Sequence, residues 1–329
     1  MTEIPAETLV TVFGGSGFLG RHLVRALARE GYRIRPAVRR PDLAGFLQPL
    51  GRVGQIHAVQ ANLRYPESVE AAVRGADVVI NLVGILYQRG KQSFEAVQAQ
   101  GAHTVAQAAA AAGARLIHIS ALGADPDSRA AYARSKAAGE AAVLGTVPEA
   151  TIFRPSIMFG PEDDFFNRFA ALARLSPFLP LVGGGHTKFQ PVFVGDVAQA
   201  ISCGVGGKAK PGTIYELGGP EVKSFKELMA YVLKVTERKR LLLPLPFGLA
   251  KLQAFFLQLM PALSFGRFEP LLTPDQVELL RSDNIVSAAA QAEGRTLEAL
   301  GINAAAFEAI VPSYLWRFRK TGQFRGRVA

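Results

Sequence analysis

Leu9-Val10-Thr11-Val12-Phe13 runs directly into Gly14-Gly15-Ser16-Gly17-Phe18-Leu19-Gly20, and this stretch decides the fold. The first five residues form an apolar, strand-like run, and residues 18–30 after the turn have helical spacing. Gly14, Gly17 and Gly20 fall three apart. In a strand-turn-helix unit the first such glycine allows the tight turn and the second lets the main chain approach a pyrophosphate. The third lets the helix press on the strand, so that its N-terminal amides and dipole meet the anion. A glycine motif alone is weak; its place between a strand and a helix gives it weight.

Working outward, apolar runs at 8–13, 32–38, 55–60, 77–82, 115–120 and 150–154 alternate with helical stretches at 18–30, 66–74, 93–112 and 131–145. Such alternation implies an α/β fold, a doubly wound parallel sheet covered on both faces. Residues 1–155 are expected to form the dinucleotide-binding Rossmann core, its sheet completed by strands within 189–218. Residues 156–329 are expected to form a smaller C-terminal lobe. There Gly183-Gly184-Gly185-His186 reads as a loop and 191–194 as a short strand. Asp196 reads as the cap of a helix running to about Cys203. Ser224-Phe225-Lys226-Glu227 and Thr273-Pro274-Asp275-Gln276 carry capping-box patterns.

Of 329 residues, 49% are apolar and 19% charged, which excludes a disordered chain and permits a large buried core. The single cysteine, Cys203, excludes a disulfide framework and a thiolate zinc cage. His22, His57, His103, His118 and His186 show no metal-ligand spacing, and no metal site is expected. His118, in a buried strand, reads as a satisfied core residue. Glu162, Asp163 and Asp164 read as an acidic helix start rather than converging carboxylates. Met1–Thr8 has no apolar block or Arg-rich stretch, so the expectation is a chain without a targeting segment.

The net charge of +10 makes the surface attractive to phosphates of any kind. The excess concentrates at 317–329, where Arg317, Arg319, Lys320, Arg325 and Arg327 have no acid after Glu308. No nucleic-acid module accompanies it, and none is expected as a partner. Residues 241–265 carry only one charge, Lys251, but Pro244, Pro246 and Pro261 interrupt them. A helix over 247–260 reaches about 21 Å, short of the roughly 30 Å hydrocarbon core. It reads as a helix lying on another protein, on the bilayer interface or on the protein's own core.

The end of the second strand selects the cofactor. An acid about 20 residues beyond the glycines binds the ribose hydroxyls of NAD. Here Val38-Arg39-Arg40-Pro41 stands instead, and a guanidinium suits a 2′-phosphate, so NADPH (NADP) is expected. Arg39 is the stronger candidate and Arg40 the weaker, with Asn62 expected near the adenine.

Gly14-x-x-Gly17-x-x-Gly20, Asn62-Leu63, Asn81-Leu82-Val83-Gly84, Tyr132-Ala133-Arg134-Ser135-Lys136, Arg154-Pro155-Ser156 and Phe193-Val194-Gly195-Asp196-Val197 resemble the extended or atypical branch of the short-chain dehydrogenase/reductase superfamily. Phe159-Gly160-Pro161-Glu162-Asp163, Gln190-Pro191-Val192-Phe193-Val194, Leu243-Pro244-Leu245-Pro246 and Phe268-Glu269-Pro270 resemble one family more closely. It is the nucleotide-binding accessory subunit of respiratory complex I, the proton-pumping NADH:ubiquinone oxidoreductase. The resemblance implies a tightly held NADPH contacted by Gly14, Ser16, Gly17, Phe18, Leu19, Gly20, Arg39, Arg40, Asn62 and Leu63. Val83, Gly84, Ser120, Tyr132, Lys136, Pro155 and Ser156 complete that set. It also implies docking among other complex I subunits on the peripheral arm near the membrane, with anionic lipid as a possible contact. The place implied is the cytoplasmic face of the bacterial inner membrane, or the matrix side if eukaryotic.

In active superfamily members a tyrosine hydroxyl exchanges a proton with the substrate, and a lysine one turn later tunes it and holds the ribose. Tyr132 and Lys136 have that spacing. The partner hydroxyl is displaced: Ser120 aligns with the strand end, and Ala121 and Leu122 occupy the substrate-orienting positions. A subunit that retains Tyr132 and Lys136 as ribose contacts without turnover is therefore the main expectation. The alternatives are an NADPH-dependent reductase or epimerase acting on a sugar nucleotide or similar carbonyl, and a sensor of the NADP(H) ratio.

Overall fold

The computed structural model describes residues 5–263 and 272–322. The chain forms two compact units. The first comprises the chain up to Pro155, Val194–Leu217 and Val286–Ala304. The second comprises Ser156–Phe193, Gly218–Ile285 and the residues from Ala305 onward. The chain leaves the first unit after Pro155. Residues 156–329 are not one continuous lobe, because 194–217 and 286–304 belong to the first unit.

The first unit is built on seven parallel strands: β1 Leu9–Phe13, β2 Arg33–Val38, β3 Val59–Gln60, β4 Val78–Asn81, β5 Arg115–Ile119, β6 Thr151–Pro155 and β7 Ile214–Leu217. Their order is β7-β6-β5-β4-β1-β2-β3, with β1 paired to both β2 and β4. The order reverses beside β1, and in open parallel sheets ligands bind at that reversal, beyond the carboxyl ends of the strands. Val78, Val79 and Ile80 are wholly buried, as a strand covered on both faces requires.

Helices α1 Phe18–Glu30, α2 Pro66–Val73, α3 Gln100–Ala111, α4 Ala131–Thr146 and α5 Val194–Val205 belong to this unit. The third strand is shorter than the expected 55–60: Val59 and Gln60 pair with Ala37 and Val38, and upstream Ile56 makes only an isolated bridge to Ile34. The expected helix at 93–112 opens instead with a π turn, Glu95–Ala99, before α3 begins. Asp196 lies inside the first turn of α5 rather than capping it, since the helix starts at Val194, three residues earlier than that cap implies. Glycine again sets a helix contact: a Cβ at Gly139 of α4 would sit 2.4 Å from the Gln98 carbonyl oxygen.

The second unit has an aromatic core in which Phe159, Phe166, Phe225 and Phe307 are buried. Asp163 is buried there rather than lying in an exposed acidic turn. It accepts from the Gly160 and Asn167 amides and, at 2.5 Å, from the Tyr314 hydroxyl. Both capping boxes form, Ser224 with Glu227 and Thr273 with Gln276. The apolar helix spans Phe247–Leu263 and so continues past Pro261, the residue expected to end it. Proline can occupy a helical φ; its cost is one absent amide donor and crowding of the preceding turn. No helix among the described residues is long and apolar enough to cross a membrane.

The start of the basic C-terminal segment folds back within this unit. Arg317 donates to Asn167 Oδ1, and Arg319 donates to the Val235 carbonyl and pairs with Glu237 at 3.6 Å. Arg325 and Arg327 lie outside the described residues.

Candidate functional site

A cleft of about 260 Å³ opens at the carboxyl ends of β1, β2, β3 and β4. Its turn is lined by Gly14, Ser16 and Gly17, its outer side by Arg39, Asn62 and Leu63, and its inner side by Val83 and Gly84. These expected residues, drawn from four separate strand ends, come together. Gly14 needs its freedom, since its φ of +79° is strained for any side chain. Gly20 does not line the cleft; a Cβ there would meet the Gly14 and Gly15 main chain at 2.3–2.6 Å. Its absence of a side chain lets α1 begin against the turn, its first amides directed at the cleft. Leu19 is buried in the core, and Phe18 packs edge-on against His22.

The two arginines after β2 separate in role. Arg39 lines the cleft and donates to Gln92 Oε1 at 2.9 Å, while Arg40 forms an exposed ion pair with Asp42 at 2.7 Å. No Asp or Glu lines the cleft. A glycine turn backed by a helix N-terminus, with a guanidinium and no carboxylate at the rim, suits a phosphate-rich dinucleotide. Sequence reasoning missed Arg64, a second guanidinium lining the cleft, and Gln92, Arg39's partner. Arg64 had a signal, since it follows β3 at a strand's carboxyl end; Gln92 lies in an irregular loop and had none.

Beside the cleft, Tyr132 and Lys136 share one face of α4. Lys136 is 5% exposed and its amine donates to the Ile119 carbonyl at 3.1 Å. A Cβ on Gly84 would lie 3.3 Å from that amine, so a glycine there leaves room for it. Burial lowers the Lys136 pKa to about 8, with the Glu140 charge opposing the shift. Tyr132 packs edge-on against Phe94, and burial pushes its hydroxyl up to about 12. Ser120 is buried with its hydroxyl unpaired among the described residues. Pro155 ends β6, and the Ser156 hydroxyl is engaged by Asn284 at 2.7 Å within the second unit.

A polar column backs this region. Asn81 Oδ1 accepts from the Val83 amide, which turns its Nδ2 toward His118 Nδ1 at 3.3 Å. That network assigns the imidazole proton to Nε2, which is buried and finds no partner among the described residues. His118 is therefore only half satisfied, where a satisfied core residue is expected. Burial first, and the Lys136 charge second, drive its pKa down to about 3. Gln98, in the π turn, donates to the Ile85 carbonyl and accepts from the Ser135 hydroxyl, tying the loop after β4 to α4. No cluster of three or more His, Cys, Asp or Glu able to hold a metal occurs among the described residues.

The sheet order, the glycine turn and the Tyr132/Lys136 pair define a dinucleotide-binding protein of the extended short-chain dehydrogenase/reductase type. The model of the NAD dependent epimerase/dehydratase family matches residues 10–218. The chain is 38% identical over 292 residues to NADH dehydrogenase (ubiquinone) 1 alpha subcomplex subunit 9, mitochondrial, of Arabidopsis thaliana, covering 85% of this chain and 71% of that one. It is 41% identical over 177 residues to the ceramide reductase of Caulobacter vibrioides, covering 54% of this chain and 55% of that one. In fold it is similar to the NADPH-dependent quinone oxidoreductase QOR2 of Escherichia coli solved with NADPH. There the TM-score is 0.72 at 18% identity, over 93% of this chain and 99% of that one. The chain belongs to the NAD dependent epimerase/dehydratase family and, within it, groups with the alpha subcomplex subunit 9 proteins of NADH dehydrogenase.

The buried lysine has a measurable signature. Between pH 8 and 10 the unfolded chain holds this proton and the folded protein releases it, so stability contributed at Lys136 rises with pH. Denaturant unfolding at pH 7.5 and 9.5 should show wild type gaining on Lys136→Met by on the order of 1–2 kcal/mol. Tyr132 titrates in the opposite sense only above pH 10. Parallel pH curves for the two proteins would mean the amine keeps an ordinary affinity for its proton.

Proposed function

We propose that this protein is an NADPH-binding accessory subunit of the proton-pumping NADH:ubiquinone oxidoreductase, held on its peripheral arm beside the membrane and without turnover of its own. The observation that carries the cofactor half is Arg39 at the rim of a cleft that no carboxylate lines. Ser16 and the α1 amides would hold the pyrophosphate, Arg39 the 2′-phosphate, and Lys136 the nicotinamide ribose. Asn62 and Leu63 would face the adenine. Identity across most of the chain to a subunit of that complex supports the assembly half.

The chemistry around Tyr132 supports retention without turnover. A tyrosine that passes protons near neutral pH needs its hydroxyl pKa lowered, and here burial raises it to about 12. The hydroxyl that would orient a substrate carbonyl is absent at 121 and 122, and Ser120 is buried. Bound nucleotide then acts through mass action, stabilising the folded subunit by about 2.7 kcal/mol at a hundredfold excess over its dissociation constant. The proposed place is the cytoplasmic face of a bacterial inner membrane, with anionic lipid within reach.

A second reading rests on the retained Tyr132 and Lys136 and on the 41% identity to a ceramide reductase over half the chain. It is an NADPH-dependent reduction of a long-chain lipid carbonyl. In it the Tyr132 hydroxyl would give its proton to the carbonyl oxygen and recover one from solvent, Lys136 would hold the ribose, and a bound NADPH would supply the hydride that makes the carbonyl an alcohol.

Affinity capture of the tagged chain from native membranes should retain NADH:ubiquinone oxidoreductase subunits, and an acid extract should contain NADP(H). A monomer in the soluble fraction at native expression would remove the assembly reading. Arg39→Glu should weaken NADPH binding at least tenfold more than NADH binding, measured by calorimetry. Equal losses would place the 2′-phosphate elsewhere. Long-chain ketone reduction that is abolished in Tyr132→Phe would instead establish the second reading.

A further inference from the structure

The helix Phe247–Leu263 is amphipathic in an inverted sense. Among its residues of described burial, Ala250 and Ala254 are wholly buried, packed with Val182 and Val277, and Phe247 at its start packs against the same cluster. Leu249, Leu252, Phe255 and Phe256, on the opposite side of the wheel, are 54–60% exposed. Leu249, Leu252, Phe255 and Phe256 thus point away from the unit's own core, and Ala250 and Ala254 toward it. Lys251 borders the stripe, its charge met by Glu278 at 3.4 Å.

The strand that precedes the helix repeats the pattern. Leu241–Leu245 pairs in parallel with Phe178–Val182, and Leu241 stands opposite Phe178. Leu241, Leu243 and Phe178 are exposed while Leu179 and Leu181 are buried, and Leu175 just upstream is 80% exposed. Cations flank these residues. Arg174 and Lys239 are exposed, and Arg174 and Arg240 lie near enough to Arg238 to disfavour its charge. Residues 165–188 and 238–263 contain no Asp or Glu.

Single exposed leucines are ordinary, but exposed large apolar side chains gathered on one helix and on the strand pair that precedes it, with cations among them, are not. A protein partner would cover such residues too, yet it gives no reason for two acid-free segments beside them. An interfacial helix has this composition: an apolar face that enters the headgroup boundary, with basic residues at its edge. We infer that the face formed by helix 247–263 and strand 241–245 of the second unit is a docking surface for a bilayer carrying anionic lipid. This rests on the membrane-side docking of the proposed function and commits it to lipid on this face. It is independent of the nucleotide site.

Vesicle flotation of the full-length protein tests it apart from that reading. The protein should float with phosphatidylcholine vesicles containing phosphatidylglycerol, and far less with phosphatidylcholine alone. Leu252→Glu combined with Phe256→Glu should cut partitioning at least about tenfold, since each residue removes a large apolar burial. Arg174→Glu with Lys239→Glu should abolish the preference for anionic vesicles. All four sites are exposed, so thermal melts should match wild type; if the glutamate pair melts early, Leu252→Ser with Phe256→Ser carries the same test. Wild type that fails to float, or a double variant that floats unchanged, overturns the lipid surface. Unchanged flotation with loss from the captured complex would assign the face to a protein partner and leave the assembly reading intact.

Discussion

A side chain at residue 20 would place its Cβ 2.3 Å from the Gly14 carbonyl oxygen, and neither the turn nor α1 could yield without moving the other. That main-chain contact fixes where α1 begins and how its amides are aimed. Gly14 adds the left-handed φ that turns the chain at the end of β1. Since β1 sits where the strand order reverses, the neighbours of this turn are the ends of β2, β3 and β4. Every residue that lines the cleft inherits its place from that arrangement, and an anion there is met by backbone rather than by flexible side chains.

The glycine spacing and the alternation of strands and helices made the first unit legible, because both are local consequences of covalent geometry and burial. Arg39 was legible for the same reason: a strand end is a predictable place. What was hidden depends on contacts distant in sequence. Nothing before residue 285 signals that Val286–Ala304 returns to the first unit. It is held there when the Glu216 amide donates to the Arg295 carbonyl and the Glu216 carboxylate accepts from the Ser287 amide. Arg40, the weaker candidate, is engaged by Asp42 two residues on, a local ion pair that strand position alone does not reveal. The π turn at Glu95–Ala99 leaves no mark on hydrophobic periodicity, yet it places Gln98 between Ile85 and Ser135.

Behind the cleft, loss of water acts on three titratable groups at once. It shifts His118, Tyr132 and Lys136 each toward the neutral form, fully for His118 and Tyr132 at neutral pH, while Lys136, lowered to about 8, keeps most of its charge there. An active site would set such shifts against one another, with a charged lysine lowering the tyrosine. Here the amine is spent on the Ile119 carbonyl, and its own affinity for the proton falls. A ribose hydroxyl brought beside it would find a donor whose position is already fixed, which suits retention of a ligand more than its conversion.

In the second unit the same burial logic explains why an apolar helix lies outside. Its contact with Val182 and Val277 is made by alanines, and small side chains let the helix backbone sit close. Turning the helix to bury its leucines and phenylalanines would push it outward and separate Lys251 from Glu278, whose side chain is only 9% exposed. Glu278 also accepts Arg281, whose guanidinium lies over the Phe247 ring 4.4 Å from its centre. The rotation is therefore held by a largely buried carboxylate between two cations, and the outward apolar stripe follows from it. Leu249, Leu252, Phe255 and Phe256 take no part in those contacts, so the packing that sets the helix's rotation leaves their size unexplained.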